Sequence, residues 1–301
     1  MEQIRMLRLL LPTSSINECK KQWDRLVARK QKRFQKKFQS ISQRVKERYE
    51  EYFTNRGNPE TIEESPWSGD KSTADLLKKC YCSGASLDKE IVESARSVST
   101  IYCPYCCLQM PPQPMGKNDE SDHFLPRSCF PEYSTLAINL VTSCHHCNNH
   151  KSDDFVASDG SRLFLHPYFD DCLTSQLLSA EVIDGRDGVP SLEYKIIDTV
   201  TEFEECSTIN NHILTLDLLS RYPQAVMQEF TTILQTIADL CSTIQEARNY
   251  FTKLSTKILE VRPNDPRGLI YQAAGNSREL ERIISRARSS KNRLQNSMDN
   301  K

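Results

Sequence analysis

The sequence predicts an α+β protein, a small metal-stapled core set between two helical regions. Three observations carry that expectation. Two Cys-x2-Cys pairs, Cys103/Cys106 and Cys144/Cys147, stand about forty residues apart, the range in which paired knuckles close one zinc site. Short segments of strand character lie between and after them. On both sides, long stretches repeat apolar residues every three or four positions, the period of an amphipathic helix.

The elements follow in order. Pro12-Thr-Ser-Ser15 is a break and a helix cap. Residues 16–54 read as one long helix, because Trp23, Leu26, Val27, Phe34, Phe38, Ile41, Val45 and Tyr49 form one apolar stripe. Residues 55–73 are turn-rich and read as a linker. Residues 74–98 predict one or two short helices, and the prolines of 108–121 a loop. Asp122–Leu125 and Ala137–Val141 are expected as strands, and the stretch from Cys144 or His145 to Asp153 as a helix. Residues 161–169 look extended, and Leu192–Val200 alternates like a strand. Helical periodicity returns over 209–261, breaks between Pro263 and Pro266, and resumes over 267–288. The polar end reads as disordered. The expected organisation is 1–98, a helical region with a long basic amphipathic helix; 99–172, the metal-stapled domain; 173–288, a mostly helical region; and 289–301, a tail.

Charge is unevenly spread over these elements. The net charge is -1 over 301 residues. Between Lys20 and Arg48, however, twelve Lys or Arg (20, 21, 25, 29, 30, 32, 33, 36, 37, 44, 46, 48) face two acids, Asp24 and Glu47. That run is either the solvated face of a helix or a surface for a polyanion, and its apolar stripe suits docking on a partner or on the C-terminal helices. No stretch reaches the ~20 apolar residues of a membrane helix, and no secretory h-region precedes Pro12. Twelve cysteines with zinc spacing and no export signal point to a reducing cytoplasm.

The chemistry concentrates between the knuckles. Asp122-His123, Asn139 and Asn148 are residue types that hold a divalent cation and deprotonate a water. His123 is the candidate general base, since a neutral imidazole accepts a proton near pH 7. Asp122 and Asn148 offer oxygens to a hard cation, Mg2+ or Mn2+. Asp122 points to the opposite side of a strand from His123, so both reach one site only if the strand bends there. Asn139 can bond the loop backbone and fix the imidazole. Lys151, one helical turn after Asn148, is placed to meet a phosphate. The four thiolates would hold a separate, structural Zn2+.

In this arrangement the chain resembles the HNH endonucleases. The first His of that family, set after an Asp, matches Asp122-His123, its middle Asn matches Asn139, and its last position, His or Asn, matches Asn148. The run Asn148-Asn-His-Lys151-Ser-Asp153 is similar to the HNH domain of RNA-guided nucleases. The resemblance covers roughly 100–170. It implies a ββα-metal fold and metal-dependent hydrolysis of DNA that leaves a 5′-phosphate and a 3′-hydroxyl. Asn in the last position favours hard ions over nickel or zinc. Asp-His-Phe-Leu-Pro-Arg127, Asn-Leu-Val141 and His166-Pro-Tyr168 resemble nucleases of bacterial anti-phage systems, Septu-type among them, which pair with an ATPase.

Blander readings stand beside these. His123 alone would be a core histidine, Asn139 a turn residue and Asn148 a helix cap. His145 and His146 read as knuckle filler, either able to replace a cysteine on zinc, His150 as a rival ligand on another helix face, and Arg127 and Lys151 as surface charges. His166 and Tyr168 read as core packing beside the site, and Cys80-Tyr-Cys82 lacks metal spacing. Two alternatives to an independent DNA endonuclease remain: a subunit active only with a partner such as an ATPase, and a zinc-stabilised nucleic-acid-binding protein without chemistry. RNA stays open as a substrate.

Overall fold

A computed structural model describes residues 15–30, 32–82, 101–110, 121–185 and 189–299. They divide after Asp170 into two compact units. None of the described helices is long and apolar enough to cross a membrane.

In the first unit the single long helix expected over 16–54 is two helices, α1 (Ile16–Arg29) and α2 (Lys32–Thr54). Ser15 caps α1 by accepting from the Glu18 amide. At Lys30 the backbone turns extended (φ -71, ψ 151), and the Gln35 side chain donates to the carbonyls of Ala28 and Lys30. The break lets the apolar stripe pack on itself. Trp23 meets Phe38 and Tyr49 edge-on at 5.8 and 6.5 Å, and its indole N–H donates to Ser42 Oγ at 2.6 Å. A continuous helix would have left those rings in water. Ion pairs Lys20–Glu50 and Asp24–Lys46 flank the seam.

The segment expected as a linker is part of this unit. Ile62 and Trp67 are buried, and the fully buried Arg48 pairs with Glu132 and Glu51 and donates to the Glu63 carbonyl. α3 (Lys71–Cys82) follows; the rest of its expected range, 83–98, lies outside the described residues, as do 111–120 of the expected loop.

The chain then folds into a knuckle over 101–110, with Tyr102 bridging Gln109 and Cys107 at φ 57. An antiparallel pair comes next, β1 (Ser121–His123) with β2 (Leu140–Thr142), placing Asp122 opposite Val141 and His123 opposite Leu140. Both strands are shorter than expected. Ala137–Asn139 is a 3-10 turn, and the Asn139 side chain accepts the Leu125 amide, so residues outside 121–123 and 140–142 leave the ladder. α4 (His145–Lys151) starts within the second cysteine pair, with Cys144 as its N-cap and Cys147 in its first turn. Residues 161–169 do not run extended; they turn around Asp170, which accepts the His166 amide and pairs with Arg162.

Among the described residues the second unit holds an antiparallel pair, β3 (Leu178–Ile183) and β4 (Ser191–Ile196), and five α-helices: α5 (Cys206–Thr215), α6 (Leu218–Leu240), α7 (Ile244–Leu259), α8 (Pro266–Asn276) and α9 (Leu280–Asp299). α8 packs on α7 and β3, and α6 on β4. Phe230, Phe251 and Tyr271 cluster at 6.2–6.5 Å in its core. Thr243 and Glu246 close a capping box on α7. The backbone of 289–299, expected as a disordered tail, continues α9. Its Lys, Arg, Leu, Gln and Met are good helix formers, and extending an existing helix escapes the nucleation cost.

Candidate functional site

The four knuckle cysteines converge. The sulfurs of Cys103, Cys106, Cys144 and Cys147 all lie within 4.8 Å of one another, and Cys106 and Cys144 are 3.8 Å apart. Four thiolates about 2.3 Å from a tetrahedral zinc stand about 3.8 Å apart, so the cluster can hold a metal ion such as zinc. The amides of Cys144 and Cys147 point at the sulfurs of Cys103 and Cys144. Burial pushes the Cys103 thiol up, a cost that a dication offsets by drawing off the proton.

Beside the cluster a cleft of about 380 Å3 opens between β1 and α4. Asp122, His123, Asn148 and Asn149 line it together with Ser121, Arg127, Ser152 and Tyr81. The structure thus brings together three of the expected site residues on the wall, Asp122, His123 and Asn148, and places the other two, Asn139 and Lys151, behind it.

His123 is half-buried. Its Nε2 lies 3.0 Å from the Ser134 carbonyl oxygen. A carbonyl only accepts, so Nε2 carries the proton, and in the neutral ring Nδ1 keeps its lone pair. Burial pushes the imidazole down to about 4; the ring is neutral near pH 7 and able to take a proton at Nδ1. Tyr81 stands edge-on against this ring at 4.6 Å, and the Arg127 guanidinium lies 5.9 Å over Tyr81.

Asn139 is fully buried and clamps the turn that follows His123. Its Oδ1 accepts the Leu125 amide at 2.8 Å, its Nδ2 donates to the carbonyls of Leu125 and Tyr133, and its own carbonyl accepts the Phe124 amide.

Lys151 departs from expectation. It is fully buried, its Nζ donating to Asp122 Oδ1 at 3.2 Å and to the His123 carbonyl at 2.9 Å. An ammonium enclosed in this way does not reach a phosphate; it neutralises Asp122 and ties α4 to β1. The other carboxylate oxygen of Asp122 accepts from Tyr105 Oη at 2.7 Å. Each oxygen of a carboxylate has a second lone pair, so Asp122 keeps acceptor capacity on the cleft wall. His150, named as a rival ligand, is exposed and stacks on His146 at 4.1 Å.

Sequence reasoning missed Tyr81, Tyr105 and Ser134. Tyr105 sits inside the first Cys-x2-Cys, a visible signal. Ser134 acts through its backbone and Tyr81 through tertiary packing, neither of which a residue type announces.

No family model and no solved structure matches the chain. Among curated proteins it is similar to Protein ea31 of Escherichia phage lambda, 27% identical over 196 residues, covering 60% of this chain and 64% of that protein. The chain therefore spans less than two thirds of that relative's length, and the relative's name states no activity.

Proposed function

We propose that the protein is a metal-dependent HNH-type endonuclease that hydrolyses DNA, with a zinc held by Cys103, Cys106, Cys144 and Cys147 as a structural staple. The observation that carries this reading is the placement of His123: its Nε2 lies 3.0 Å from the Ser134 carbonyl, which leaves the lone pair on Nδ1, and the residue lines a cleft that also presents Asn148, Asp122 and Arg127. The antiparallel pair followed by a short helix beside a four-cysteine cluster agrees with the ββα-metal arrangement the resemblance implies. Anti-phage defence follows from that resemblance and joins the proposal on the same footing.

In this mechanism His123 takes a proton from the attacking water at Nδ1, the water oxygen bonds to phosphorus as the bond from phosphorus to the 3′-oxygen breaks, and the leaving 3′-oxygen takes a proton from solvent. The Ser134 carbonyl favours the imidazolium that forms. Arg127 offers a guanidinium to the phosphoryl oxygens. The oxygen donors on the wall (Asn148, Asp122) suit a hard cation. Mg2+ or Mn2+ bound there would neutralise charge on the phosphodiester.

The test is cleavage of plasmid DNA, and separately of RNA, by the zinc-loaded protein with Mg2+ or Mn2+. A bacterial cell extract is added in a parallel arm to supply an activating partner, such as an ATPase. We expect cutting that EDTA abolishes and that His123→Ala slows by about 10^2- to 10^4-fold. Cutting of RNA alone would move the substrate. Wild-type protein that cuts neither polymer in any arm, or a His123→Ala variant that cuts normally, would overturn the reading.

A further inference from the structure

Behind the cleft runs a buried hydrogen-bond chain that passes through Tyr52 of α2. Tyr52, His166 and Asn139 are each fully buried. The Tyr168 amide donates to His166 Nδ1 at 3.2 Å, so Nδ1 carries no proton. Burial holds the ring far below its ordinary titration range and neutral. The proton of His166 therefore sits on Nε2, which lies 2.9 Å from Tyr52 Oη. Tyr52 in turn donates its single hydroxyl proton to Asn139 Oδ1 at 2.9 Å. The Asn139 amide cannot be flipped, because the Leu125 amide fixes its oxygen end and two carbonyls fix its nitrogen end. One direction of donation thus runs from His166 through Tyr52 to Asn139.

Asn139 grips the backbone on both sides of His123's partners. It holds Leu125, two residues after His123, and the carbonyl of Tyr133, the neighbour of Ser134. Ser134 supplies the carbonyl that fixes the imidazole. The room for this chain is built in. Gly57, at φ +68 beyond the end of α2, leaves space that a Cβ would take from His166, meeting Cδ2 at 2.7 Å and Nε2 at 2.9 Å. Its amide returns to the Tyr52 carbonyl at 2.9 Å, and glycine alone adopts that φ at no steric cost.

We infer that Tyr52 and His166 are positioning residues for His123, acting through Asn139 to hold the Ser134 carbonyl and the 123–125 turn so that Nδ1 remains the basic nitrogen. This role rests on the proposed nuclease reading. Its structural half, control of the His123 tautomer, can be read without any cutting.

The experiment uses full-length, zinc-loaded protein with 15N-histidine. Long-range 1H–15N spectra report which nitrogen of His123 carries the proton, with His123→Gln giving the assignment. Tyr52→Phe keeps the ring and deletes the hydroxyl. We expect wild type to show one tautomer protonated at Nε2, and Tyr52→Phe to show mixed or exchanging tautomers at unchanged zinc content. Where cutting is measurable, kcat should fall about 10- to 100-fold, the usual effect of losing a partner that orients a metal-site ligand, with KM little changed. His166→Gln, which retains a donor toward Tyr52, should preserve more of the single tautomer and of kcat than His166→Leu. This pair also decides the matter if Tyr52→Phe does not fold. An unaltered His123 tautomer in Tyr52→Phe, or equal behaviour of the two His166 variants, would overturn the inference. A wild type that shows the expected tautomer yet cuts nothing would overturn the nuclease reading alone.

Discussion

Lys151 shows how a side chain's role turns on burial. A lysine one turn after a candidate ligand suits a phosphate contact in sequence, and Asp122 beside His123 suits a cation. Folded, Lys151 is spent on one oxygen of Asp122, which keeps its remaining lone pairs on the cleft wall, and neither the pairing nor the bond from Tyr105 can be deduced from spacing, because residues 105, 122 and 151 meet only through the tertiary fold. Removing one member of a buried pair strands the other charge. Lys151→Met is therefore expected to destabilise the protein by about 3–5 kcal/mol, read as a lower urea midpoint. A phosphate-binding lysine would instead lose substrate affinity and keep the midpoint. His123 carries a pH signature of its own. Its folded value is pushed to about 4, against ~6.5 for the unfolded imidazole. Above ~6.5 neither form is charged. As pH falls from there toward 4, only the unfolded chain binds the proton, so stability drops. His166 acts in the same direction. The urea midpoint should fall between pH 7.5 and 5, and fall less in His123→Gln; an equal fall in the variant would remove His123 from the account.

At the scale of elements, the α1–α2 hairpin depends on the stripe that sequence periodicity revealed. Trp23 is buried against Phe38 and Tyr49, so Trp23→Ala should cost about 3–5 kcal/mol. Loss of helical circular dichroism at a lower temperature would show it; an unchanged melting curve would mean that Trp23 is not packed in a core. The stripe was legible because a 3.6-residue repeat survives in the sequence, and so were most helices of 206–299. The break at Lys30 was not, since Lys, Gln and Arg flank it and no Gly or Pro marks it. β3 also went unseen, because Ser179, Ala180 and Glu181 interrupt its alternation and its residues are buried only at intervals. The strands at the candidate site were visible in place but not in length. There Asn139 spends its side chain on the backbone of Leu125 and Tyr133, and a local side-chain bond of this kind competes with the ladder.

For the whole molecule, the division after Asp170 makes the zinc prediction a spatial one. The cysteine pairs bracket β1 and β2, and the second pair starts α4. Among the described residues of 101–155 the regular structure is two three-residue strands, two 3-10 turns and a seven-residue helix, a small core for a metal to staple. A structural zinc contributes about 10–16 kcal/mol in small fingers, comparable with the ~5–15 kcal/mol of an entire domain. The segment 171–299 has its own aromatic core around Phe230, Phe251 and Tyr271 and no share in the four-cysteine cluster. Cys147→Ser, or exhaustive chelation, should therefore abolish amide-exchange protection in the described residues of 101–155 and leave it in α6, α7 and α8. Were the cysteines only a buried thiol cluster, exchange in 101–155 would change by no more than a single core substitution causes. Were the two units one cooperative body, protection would vanish in both together. Hydrogen exchange followed by mass spectrometry separates these three patterns. Only the first fits a zinc that staples one unit of a two-unit chain.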